Sequence, residues 1–72
     1  MNDQMDYDLY VLAEIAYTKD HNEIDEEEPF PINWYASKNY RLKVEIIGEA
    51  LERNIMIEET ELFKQAQKEG IF

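Results

Sequence analysis

The sequence predicts a small all-α domain of three helices, with a long acidic, proline-containing connection between the first and the second. Three observations lead there. Apolar residues recur at helical spacing in "SKNYRLKVEIIGEALERN"; the charges of the segment after it match a helix dipole; and no second strand candidate stands near the N-terminal run to pair with it. The chain has 72 residues, room for one domain spanning 1–72. A domain of that size buries about 60% of its unfolded surface, and its core rarely supplies more than ~3–5 kcal/mol of net stability. No cysteine is present to reinforce it, yet 44% apolar and 12% aromatic content is too rich for a disordered chain.

Helix 1 is expected over about 4–18. Leu9, Leu12, Ala13 and Ala16 fit a helical face, while Tyr7, Leu9, Val11, Ala13, Ile15 and Tyr17 alternate as a strand would. A lone strand has nothing to pair with, so the helix is preferred, and Asp3 and Asp6 suit its N-terminus. Apolar residues on nearly every side of Leu9 to Tyr17 imply a helix that is central or belongs to an interface.

A connection over about 19–36 follows, in which Pro29 and Pro31 forbid helix. Its length, beyond the ~12–15 residues usual in a compact domain, marks it as functional or loose.

Helix 2, over about 38–53, carries Tyr40, Val44, Ile47 and Leu51 at i, i+4, i+7 and i+11, widened by Ile46 and Ala50. Ser37 is the expected N-cap, Glu49 and Arg53 an i,i+4 pair, and Asn54 a left-handed terminator. Gly48 in the middle implies close packing against another helix, with a kink as the other option.

Helix 3, over about 58–69, has Glu58, Glu59 and Glu61 at its start and Lys64 and Lys68 at its end. Leu62, Phe63 and Ala66 form its apolar face, Gly70 its C′ residue, and Ile71 and Phe72 can fold back on the core.

The formal net charge of −10 is unevenly placed. Residues 1–33 hold ten acids against Lys19 alone, a balance of −9; residues 34–72 hold seven acids against six bases, a balance of −1. Such a field repels nucleic acid and anionic membranes and attracts basic protein surfaces. The acidic N-terminus lacks the pattern of a signal peptide, and no apolar run approaches the ~18–20 residues of a membrane span, so a cytoplasmic protein is expected.

Catalysis is disfavoured. His21 is the one histidine, Ser37 reads better as a cap, and no spacing supports a triad. The acid run fails as a calcium loop: counted from Asp20, Asn22 fits the third position, but Ile24 stands at the fifth, Asp25 replaces the required Gly and Pro31 ends it. No cofactor and no metal are expected. The candidate binding residues are instead the acids Asp20, Glu23, Asp25, Glu26, Glu27 and Glu28, and the aromatic anchors Tyr10, Phe30, Trp34 and Tyr35. The aromatics of "FPINWY" either pin the connection to the helices or stay exposed for a partner.

The composition therefore points to a binding protein whose acidic half docks on a basic protein, a DNA-mimic-like inhibitor or regulator of the kind phages and mobile elements encode. The alternative is a structural, self-associating helical protein, a homodimer through Leu9 to Tyr17, whose acids serve solubility.

Overall fold

The N-terminal run folds as a helix, α1 (Asp3–Asp20), in the computed structural model, which describes residues 3–21 and 29–72. The domain is all-α. After α1 come α2 (Ile32–Ala36), α3 (Tyr40–Arg53), a 3₁₀ turn (Ile57–Glu59) and α4 (Glu61–Lys68), and the described residues contain no strand.

Two elements differ from expectation. The connection contains α2, although its prolines argued against helix. Pro31 sits at the N-cap, where its φ of −58° is already suitable and its missing N–H is not needed; its carbonyl accepts from the Trp34 N–H at 2.9 Å. The third expected helix is split, because Thr60 interrupts it. Thr60 is fully buried, donates to the Ile57 carbonyl at 2.7 Å and accepts from the Phe63 N–H at 3.1 Å, closing the 3₁₀ turn and capping α4 with one hydroxyl.

α3 begins at Tyr40, the first residue of its apolar stripe and two residues later than the start expected from Ser37 as its cap. Its N-cap is Asn39, whose side chain accepts from the Leu42 N–H, while Ser37 accepts from the Asn39 N–H two residues too early to cap the helix. The expected ending holds: Asn54 lies at φ 55°, and the N–H groups of Asn54 and Ile55 return to the carbonyls of Leu51 and Ala50. Gly70, at φ 81°, ends α4 in the same way, with Gly70 and Ile71 donating to Gln67 and Ala66. The close packing expected at Gly48 is absent. The residue is exposed, and a Cβ there would meet nothing within 4 Å.

α1 lies along α3. Tyr10 and Tyr17 from α1, Phe30 and Trp34 from the connection, Ile46, Ile47 and Ala50 from α3, Ile57 and Phe63 make the core. Its centre is a run of stacked rings: Tyr17 to Phe30 at 5.2 Å, Phe30 to Trp34 at 4.9 Å, Trp34 to Phe72 at 5.2 Å and Phe72 to Phe63 at 5.5 Å. Each large ring buries roughly 150–250 Å², so this run carries much of the burial a short chain can achieve. Phe72 folds back as expected.

Candidate protein-interaction surface

Of the six acids singled out in the sequence, Asp20 is described. It is exposed on the last turn of α1. Glu23, Asp25, Glu26, Glu27 and Glu28 lie outside the described residues.

The aromatic candidates divide. Tyr10, Phe30 and Trp34 are buried, so none of the three presents a ring to a partner. Their reading as surface anchors is corrected, and the other reading of the connection's aromatics holds for Phe30 and Trp34, which pin it against Tyr10 and Tyr17 of α1. Tyr35 is 47% exposed and is the member of the set at the surface, where its hydroxyl accepts from the Phe30 N–H at 3.3 Å.

Three rings of this region enclose a cation that no local pattern in the sequence places inside. The Lys43 ammonium lies 4.8 Å from the Tyr10 ring centre, 5.2 Å from Tyr40 and 5.6 Å from Trp34, while the residue as a whole is buried. Attraction to three ring faces offsets part of the cost of taking the charge out of water. Burial lowers the Lys43 pKa, and the Glu14 charge works against that shift. The same corner is closed by a chain of hydrogen bonds in which Trp34 Nε1 donates to the Tyr10 hydroxyl at 3.0 Å and that hydroxyl donates to Glu14. Burial first, and then the bond to Glu14, drives the Tyr10 pKa far above the ordinary phenol value. Among the described residues, no buried side-chain nitrogen or oxygen lacks a partner.

Two polar residues tie segments together from a distance. His21 is partly buried and stacks on Tyr17 at 4.2 Å. Its ring nitrogens lie 3.0 Å from the Tyr17 carbonyl and 3.2 Å from the Ile55 carbonyl, which holds the end of α1 to the exit of α3. Glu49 makes the expected pair with Arg53 at 2.8 Å. It also accepts from the N–H groups of Glu61 at 2.9 Å and Leu62 at 3.2 Å, and so caps α4 from another helix. The bond from Glu61, helped by Arg53 and Leu62 against a smaller effect of burial, holds its carboxyl below the usual carboxylate range.

What remains at the surface is a second apolar face on α1. Met5, Leu9, Leu12 and Ala16 recur at i, i+4, i+7 and i+11 and fall within a band about 60° wide on the helix, roughly a third of a turn from Tyr10 and Tyr17. Leu9 is 48% and Leu12 64% exposed, and Met5 and Ile15 are comparably open. The sequence already placed Leu9, Leu12 and Ala16 on one helical face, and the structure adds Met5 to it. Among α1's acids, Asp6 is drawn toward α3 by Arg41 at 3.1 Å and Glu14 by Tyr10, whereas Asp8 and Asp20 are exposed beside the outward stripe, as is Lys19. A smaller exposed group, Ile32 and Tyr35, lies on α2.

No helix among the described residues is long and apolar enough to cross a membrane. No family model, curated protein or solved structure matches the chain.

Proposed function

We propose that this is a non-enzymatic, cytoplasmic binding protein that docks its acidic N-terminal half on a basic protein surface. Where that surface normally holds nucleic acid, it competes as an inhibitor or regulator resembling DNA in charge, without itself binding nucleic acid. The observation that carries the reading is the division of charge, −9 in residues 1–33 and −1 in residues 34–72. A field of that shape accelerates encounter with a cationic partner and is screened beyond about 8 Å at physiological salt. The exposed apolar residues of α1 support the reading, because steering brings a partner close and buried apolar area then holds it.

Capture of partners from a cell lysate at low salt and at about 0.5 M salt tests it. Retention is expected to fall steeply with salt and to be lost in the triple variant Glu26→Lys, Glu27→Lys, Glu28→Lys, whose folding is unchanged. Partners held equally at both salt concentrations would remove electrostatics as the driver. The exposed face of α1 also supports a second reading, a homodimer whose acids serve solubility. Sedimentation distinguishes it, since a monomer at hundreds of micromolar discards the dimer.

A further inference from the structure

We infer that the outward face of α1 is the docking surface for a basic amphipathic helix of the partner protein, with Leu9 and Leu12 as its apolar anchors and the neighbouring acids as its rim. The inference rests on the docking role proposed above and adds to it the surface and the chemistry of the partner.

The core does not use this face. α1 already fills its inward side with Tyr10 and Tyr17, packed by Val11 and Ala13, and it meets α3 there. The outward stripe runs from residue 5 to residue 16, roughly 16 Å at 1.5 Å per residue, about three turns of helix. A convex stripe of that length accepts another helix, whose side chains interdigitate with it at an interaxial distance of about 8–10 Å. Strand addition has no edge to use among the described residues.

Charge selects the occupant. Asp8 and Asp20 are exposed beside the stripe, with Lys19 the one base in the first half of the chain. In sequence, the acid run from Glu23 to Glu28 begins three residues after Asp20, the last residue of α1. A second copy would bring two −9 halves together with one lysine each to offset them. A helix with a leucine-like stripe flanked by Lys and Arg meets both the apolar and the acidic parts of the surface.

The test uses the full chain and two synthetic peptides of one composition, Leu, Lys and Ala. One is patterned as an amphipathic helix of about four turns, and the other is scrambled so that its apolar residues share no face. Binding is measured by calorimetry and mapped by backbone NMR shifts. The patterned peptide is expected to bind at least roughly tenfold more tightly than the scrambled one, with shifts centred on residues 5–16. The double variant Leu9→Gln, Leu12→Gln, shown by circular dichroism to be folded, is expected to lose about tenfold or more of that affinity.

Equal binding of the two peptides, failure of both to bind, shifts that avoid α1, or undiminished binding by the double variant each overturns the inference. If the leucine pair is silent while the triple reversal at Glu26, Glu27 and Glu28 abolishes binding, the docking role stands and this surface falls. If the leucine pair abolishes binding and the triple reversal does not, the surface stands and the electrostatic role falls. A dimer that the double variant dissociates assigns the face to a second copy and also overturns the inference.

Discussion

α1 and α3 are the longest helices of the domain and lie against each other, yet they distribute their apolar residues in opposite ways. α3 buries Lys43, Ile46, Ile47 and Ala50 and partly buries Leu42, Val44 and Leu51, and none of its large apolar residues is exposed. α1 buries Tyr10 and Tyr17 and leaves Met5, Tyr7, Leu9, Leu12 and Ile15 in the open. One helix is a core element with a polar back. The other has a core side made of tyrosines and a second side made of aliphatics. The contrast separates apolar residues that the fold requires from apolar residues that it merely carries, and the second kind is where function is sought.

The largest effects belong at the α1–α3 seam. Trp34→Ala removes the centre of the stacked rings and the donor to Tyr10, and a loss of about 3–5 kcal/mol matches the whole stability of a domain this size. The variant is expected to be unfolded at room temperature by circular dichroism; a cooperative melt near that of the parent would mean the ring is dispensable. Tyr17→Phe is milder. The Tyr17 hydroxyl accepts from the buried Ile57 N–H at 3.4 Å and donates to the Met56 sulfur at 3.6 Å, so its removal should cost about 1–2 kcal/mol in a urea titration. Burial also raises the Tyr17 pKa. The native state therefore holds its proton where the unfolded chain releases it, and stability present below the ordinary phenol range is lost as pH rises beyond it. Part of that alkaline loss should disappear in Tyr17→Phe.

Much of this seam was legible in the sequence, and the illegible part has physical reasons. α3 was readable because one stripe, interrupted by no competing period, names one buried face. Asn54 and Gly70 were readable because few residues tolerate positive φ. Ser37 and Asn39 are both good caps two positions apart, and backbone geometry, which the sequence does not carry, decided between them. α2 was hidden because proline argues against helix in general but not at the first turn. Tyr10, Phe30 and Trp34 were named as candidate anchors, with the alternative of pinning the connection left open, because aromatic content tells nothing of direction, and three rings around Lys43 are a long-range arrangement that no local pattern encodes. The acidic part of the candidate site was legible in composition. The apolar part was legible as a helical face through Leu9, Leu12 and Ala16, but periodicity does not say whether such a face turns inward or outward, so these residues were not among the candidate anchors.

Effects near 1 kcal/mol test how α3 anchors its neighbours. Glu49→Gln weakens the cap on α4 and the pair with Arg53, and a loss of about 1 kcal/mol is expected at neutral pH. The Glu49 pKa is lowered in the fold, so its contribution is present above the ordinary carboxylate range and is lost as pH falls through the folded value. The difference between parent and variant should therefore shrink in acid; a constant difference would assign the effect to something other than charge. Gly48→Ala works in the other direction. The position is exposed, helical and has no neighbour within 4 Å of a new Cβ, so the substitution should stabilise by about 0.5–1 kcal/mol, seen as a higher melting temperature.

The smallest effect on stability is the one that bears most on the comparison. Leu9→Gln and Leu12→Gln replace exposed side chains with a residue of similar helix propensity, and each is expected to change stability by less than about 0.5 kcal/mol. The same exchange at Ile47, which is fully buried on α3, should cost several times more, because a buried amide without partners adds a desolvation penalty to the lost burial. Thermal melts of the three variants side by side measure the asymmetry directly. A loss of about 2 kcal/mol or more at Leu12 would show the outward stripe to be packed in solution, making α1 a core helix on both sides. A flat response at Leu9 and Leu12 beside a large one at Ile47 leaves the stripe without a role in folding, which is what the proposed docking surface requires.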